Sequence, residues 1–94
     1  MTNANKERML KTASAMVSDD YRSRFCAEYI QLKVRVEGLT SLLNNWDNLD
    51  FVPKTPKEIL QHQLGVMNDY LATLEYRASV EDIELPEVRS EDDE

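Results

Sequence analysis

FCAEYIQLKVRVEGLTSLLNNW, residues 25–46, decides the fold of this chain. Phe25, Tyr29, Leu32, Val36, Leu39, Leu43 and Trp46 step by four, three, four, three, four and three residues. That spacing puts all seven on one stripe of an α-helix and marks a seam for a second helix. Leu60, Leu64, Met67, Leu71, Leu74 and Ala78 repeat the rhythm. One helix over about residues 19–46 and another over about 56–80, joined by a short connection, make an antiparallel helical hairpin. The expected class is all-α, with a short N-terminal helix beside the hairpin.

The flanks of the two ladders carry start and stop signals. Ser18 reads as an N-cap, with Asp19 and Asp20 in the first turn, where carboxylates favour the helix dipole. Asp20 and Arg24 stand one turn apart and are spaced to pair. Thr55-Pro56-Lys57-Glu58 reads as a capping box with proline at the first helical position. Asn44 to Asp50 is rich in turn-forming residues, and Leu49, Phe51 and Val52 are expected to fold back as a lid over the end of the seam. The second helix should end near Ser79–Asp82, with Pro86 forbidding much continuation. Upstream, Met9, Leu10, Ala13, Met16 and Val17 fall at helical spacing within 5–17. So short a helix is marginal alone and should dock on the hairpin or on another protomer. Gly38, inside the first long helix, either admits a neighbouring backbone or is simply tolerated.

The chain has 94 residues and a net charge of −7. That length suits one domain, read as residues 1–85 with an acidic tail at 86–94. Residues 81–94 hold eight acids against Arg89, so the whole net charge sits at that end and the body is balanced. Such a balance argues against duplex nucleic acid as a partner. No apolar run approaches a membrane span. The single Cys26 rules out an intrachain disulfide and suits a reducing cytoplasm. With no secretory apolar core near Met1, the expectation is a soluble intracellular protein, with no membrane partner.

Candidates for chemistry are few. His62, the single histidine, falls on the outward face of the second helix. Cys26 sits beside the seam as a small packing residue, with no activating base in its sequence context. One histidine and one cysteine do not make a zinc site. Gly38 and Gly65 both lie inside helices, so no phosphate-cradling loop exists. The expectation is therefore a protein that is not an enzyme, with no catalytic residues, no metal and no cofactor.

Two features remain. Apolar residues stand off the seam: Cys26, Ile30 and Val34 on the first long helix, and Ile59, Val66, Tyr70 and Thr73 on the second. Either the N-terminal helix covers one stripe, or a homo-oligomer buries them, or they form a binding surface for a foreign protein, which can coexist with either. Ile30, Val34, Ile59, Val66 and Tyr70 are the interface candidates, with a two-fold dimer the simplest assembly. Bases also cluster early, since Lys6, Arg8, Lys11, Arg22, Arg24, Lys33 and Arg35 outnumber the acids of residues 6–35 by three. That cluster is either a solvated face or an anion pocket, with Arg22, Arg24, Lys33 and Arg35 as the candidate ligands.

Asp19-Asp20-Tyr21-Arg22-Ser23-Arg24-Phe25-Cys26-Ala27-Glu28-Tyr29 and then Gln31-Leu32-Lys33 resemble the opening of a family of small phage-encoded helical proteins, defined by relation to crAss-like phage reading frames. The likeness continues through Leu49-Asp50-Phe51, Pro56, Leu60, Gln63-Leu64, Met67, Tyr70-Leu71, Leu74-Glu75, Arg77-Ala78 and Ile83-Glu84-Leu85. It covers about residues 19–85. The extended N-terminus and the acidic tail depart from the usual form, and Asp82 stands where a helix-ending glycine is expected. The resemblance implies a phage or prophage origin, a host-cytoplasmic setting and no catalytic residues. The first functional expectation is a non-catalytic accessory protein of the counter-defence type that binds a host factor. The alternatives are an oligomeric sponge that sequesters a cyclic-nucleotide immune signal, and a virion or assembly component.

Overall fold

In the computed structural model, residues 3–86 are described, so the acidic residues 87–94 lie outside the description. Helix α1 spans Asn3–Met16, α2 spans Tyr21–Asn44 and α3 spans Lys57–Glu81, with a single 3-10 turn at Trp46–Asn48. There is no strand among the described residues. The fold is all-α, as the two ladders require, and α2 packs against α3.

The seam is tight at one end only. Phe25, Tyr29, Leu32 and Val36 from α2 and Leu71, Leu74 and Ala78 from α3 form one buried cluster. Leu74, with 0% exposure, lies at its centre. Toward the connection, Leu39, Leu43, Leu60 and Leu64 are only half-buried. Phe51 and Val52 do not form the expected lid, for they are 56% and 91% exposed. A ladder in the sequence specifies a face, whereas its depth depends on how close the partner helix comes.

The buried end is closed by a feature that periodicity cannot reveal. α3 stops at Asp82, which adopts φ 58° and ψ 45°, the left-handed conformation. The Ile83 N–H then donates to the Ala78 carbonyl at 2.9 Å. This bond from the second residue past the helix back to its last full turn is a Schellman ending, and Ile83 packs with Ala78 in the core as that motif requires. Leu85 packs against the same cluster. Around this end, the Tyr21 hydroxyl donates to Glu81 Oε1 at 2.6 Å. Arg77 donates from Nη2 to the Tyr21 oxygen at 2.7 Å and from Nε to Glu81 Oε2 at 3.2 Å. The Arg77 guanidinium lies 5.0 Å over the Phe25 ring. Exposed ion pairs contribute little, so this clasp matters mainly for register: it ties the first turn of α2 to the last turn of α3.

Both predicted caps move. The N-cap of α2 is Asp20, whose Oδ1 accepts from the Arg22 N–H at 3.2 Å and whose Oδ2 accepts from Ser23 Oγ at 2.9 Å. Ser18 instead accepts the Asp20 N–H at its hydroxyl, in a turn one step earlier. Arg24 donates to the Ser18 carbonyl at 2.6 Å rather than pairing with Asp20. The N-cap of α3 is Pro56, with no side-chain cap bond, so the Thr55 capping box does not form. With Pro56 at φ −58° and ψ 146°, the helix starts one residue later than the box requires, and Thr55 falls outside it.

α1 packs on α2 by a face the apolar pattern did not mark. Its buried residues are Asn5 and Thr12, while Leu10 and, just past its end, Val17 are 66% and 82% exposed. Thr12 Oγ1 donates to the Met9 carbonyl at 2.7 Å and accepts from Gln31 Nε2 at 3.0 Å, so its burial is satisfied on both sides. Arg8 Nη1 donates to Asn5 Oδ1 at 2.9 Å. Beneath α1 lie Ala27 and Val34, exposed by 1% and 2%. Val34 is nine residues from Phe25, about half a turn round the helix at roughly 100° per residue. α2 is therefore sandwiched, with α3 on one side and α1 on the other.

Candidate functional site

The off-seam stripe of α2 is covered within the chain. Val34 is buried, and Cys26 and Ile30 are half-buried. On α3, Ile59, Val66 and Tyr70 stay 56%, 53% and 44% exposed. The five interface candidates therefore separate: the α2 members sit on the α1 side, and the α3 members face solvent.

The four candidate anion ligands do not converge. Arg22 and Lys33 are eleven residues apart and share one helical phase. Arg24 and Arg35 share another, about 160° away, and each pair is spread along roughly 16 Å of helix at ~1.5 Å per residue. Two other members of the early basic cluster do meet. Arg8 and Lys11 of α1 stand over a groove of about 310 Å³ whose α2 wall includes Ser23, Cys26 and Ala27. Ala15 and Ile30 add to its apolar floor, and Thr12 adds a hydroxyl. Among the described residues, no carboxylate lines it. The groove continues past Cys26 and Ile30 into an open trough walled by Glu84, Leu85 and Pro86. The Cys26 Sγ lies 3.8 Å from the Glu84 carbonyl oxygen, which joins the two regions.

Electrostatics follow from these contacts. Burial pushes the Cys26 thiol above its usual range, and the nearby Asp20 charge pushes the same way. The thiol is therefore a neutral lining group and a poor nucleophile. At the cap of α2, the Ser23 hydroxyl and the Arg22 N–H bonded to Asp20 hold its carboxyl below the usual value. His62 is exposed on α3, away from the groove. Among the described residues, no group of three or more histidine, cysteine or acidic side chains is placed to hold a metal ion. No helix of the described residues is long and apolar enough to cross a membrane.

The signal for the groove was present in the sequence. Arg8, Lys11 and Thr12 lie on one side of α1, as Cys26 and Ile30 do on α2. Reading helical phase within the basic cluster separates these bases from the four that diverge. What was not legible was which face of α1 docks, because its buried positions are polar.

A comparison with protein families matches residues 19–80 to the family described as Sequestin. The match covers α2, the connection and nearly all of α3, including the seam, the Asp20 cap and the α2 wall of the groove, while α1 precedes it. Neither the curated proteins nor the solved structures gave a match. With about two thirds of its length matched, from the cap of α2 to the last turn of α3, the chain belongs to the Sequestin family.

Proposed function

We propose that this protein acts without catalysis, by sequestration, and that it holds a small anionic ligand of the nucleotide class in the groove between α1 and α2. The observation that carries the reading is the pairing of Arg8 and Lys11 over an apolar floor, with no carboxylate among the described residues that line it. A nucleotide presents that pattern in reverse, a flat apolar base joined to a charged phosphate. The volume lies at the lower end of the range for small-molecule sites. Other clefts suit an anion less well, since Glu28 offsets Arg35 in one and the Asn5–Gly38 cleft has no charged lining among the described residues. The family name, Sequestin, agrees with binding and retention.

The resemblance to small phage-encoded proteins supplies a setting. In the cytoplasm of an infected bacterium, the sequestered ligand would be a cyclic-nucleotide signal of host immunity, and removing it would serve counter-defence. Titration calorimetry and thermal shift with a panel of cyclic nucleotides test this, with inorganic phosphate as the control. A ligand at about 100 times its Kd should stabilise the fold by roughly 2.7 kcal/mol. Lys11→Glu should abolish that shift without unfolding the chain, because Lys11 is exposed. If no nucleotide shifts the melt while a defined host protein binds the purified chain, the sequestered partner is a protein instead. Recovery of the chain from purified virions would favour the assembly role.

A further inference from the structure

α1 and α3 both pack on α2 and make no extended contact with each other. The three helices thus form a single layer. Such a layer buries its seams and leaves two broad faces open, and stable domains cover such faces with a second layer.

The two faces differ. Cys26, in the ligand groove, and Arg35 are nine residues apart on α2 and so point to opposite faces. On the Arg35 face, Met16 of α1, Glu28, Leu32 and Arg35 of α2, and Tyr70 of α3 line a shallow cleft of about 190 Å³. Val66, one turn before Tyr70, continues the apolar stripe along α3. Val66, Met16 and Tyr70 are 53%, 46% and 44% exposed. At the centre of this apolar surround, Glu28 and Arg35 stand two turns apart, roughly 10 Å along the axis, with Leu32 between them. Neither takes part in an ion pair among the described residues.

We propose that this face is the interface of a two-fold dimer, with a second copy of the chain as its occupant. The charge pattern selects both the partner and the orientation. A two-fold axis crossing α2 between Gln31 and Leu32 makes the two α2 helices antiparallel, so that Glu28 of each copy meets Arg35 of the other. Each contact then occurs twice, as an isologous interface requires. The same operation brings the Val66–Tyr70 stripe of one copy against that of its mate. A parallel arrangement would set Glu28 against Glu28 and is disfavoured. This assembly goes beyond the sequestration reading and does not depend on it, because the ligand groove opens on the opposite face.

Sedimentation equilibrium on the full chain, with far-UV circular dichroism as a check on folding, tests the proposal. The wild type should be a dimer at micromolar concentration. Glu28→Arg and Arg35→Glu should each weaken association by at least about tenfold, because each places like charges together twice. The double variant should recover the dimer, and an equimolar mixture of the two single variants should form a heterodimer. A wild type that stays monomeric at high micromolar concentration overturns the proposal. So does a dimer that both single variants leave intact, or a pair of single variants that fail to associate when mixed.

Discussion

Asp82→Gly should stabilise this protein, although it removes a side chain. Asp82 is the one non-glycine residue with positive φ among the described residues. The left-handed conformation costs an L-residue roughly 1–2 kcal/mol, and aspartate falls at the low end because its side chain can bond locally. Glycine removes that strain but gives back about 0.4–1 kcal/mol through the freedom of the unfolded chain. Removing a negative charge from the C-terminal end of α3 adds about 0.3–1 kcal/mol, since the dipole there favours cations. The net gain is about 0.5–1.5 kcal/mol. At roughly 4–8 °C per kcal/mol for a domain of this size, that is several degrees in Tm. Urea and thermal unfolding followed by circular dichroism measure it, with Asp82→Asn and Asp82→Ala as controls. The asparagine variant should capture the charge effect alone. The alanine variant should gain nothing, because it keeps the β-carbon strain and loses the local hydrogen bonding. The order of stability should therefore be glycine, asparagine, aspartate, alanine. If the helix instead ran straight through position 82, helix propensity would rank alanine above aspartate and aspartate above glycine. That reversed order would refute the Schellman ending and, with it, the docking of Ile83 in the core.

Three further outcomes follow from particular contacts. Leu74→Ala should cost about 2–5 kcal/mol, the range for fully buried leucines, while Leu39→Ala, half-buried, should cost distinctly less; equal losses in urea unfolding would mean the seam is evenly packed. Thr55→Ala should change stability by no more than about 0.5 kcal/mol, as for surface sites without a special role; a clear loss would restore the capping box. The Tyr21 hydroxyl, with Arg77 in support, holds the Glu81 carboxyl below its ordinary value of 4.5. A depressed carboxylate contributes stability above its unfolded pKa and loses it as pH falls through the folded one. Glu81→Gln should therefore flatten the stability profile below about pH 4.5, and an unchanged acid limb would show that the clasp does not persist in solution.

The hairpin was legible before any coordinate because it rests on period. Two ladders at alternating steps of three and four admit one local answer, and Phe25, Tyr29, Leu32, Leu71, Leu74 and Ala78 all face inward as that answer demands. Helix ends were less legible. Several residues near each end are competent to cap, and competence is local while selection is not: Asp20 won over Ser18 and Pro56 over Thr55 by a shift of one or two residues. The candidate site was legible only in its composition. The early excess of bases pointed to an anion, yet Arg22, Arg24, Lys33 and Arg35 diverge around α2, and Arg8 with Lys11 forms the rim instead.

Pattern along the chain thus determined the class, the two long helices and the core face of each, because burial of an amphipathic stripe is a local property repeated at a fixed period. Tertiary structure decided the rest. α1 docks through Asn5 and Thr12 because Gln31 and neighbouring groups satisfy them, a compensation that a hydrophobicity pattern cannot anticipate. Ile83 joins the core because the chain reverses at Asp82, a conformation that any sequence rule assigns to glycine first. The groove under Arg8 and Lys11 exists because two consecutive helices approach at one angle, and that angle is written in neither helix alone.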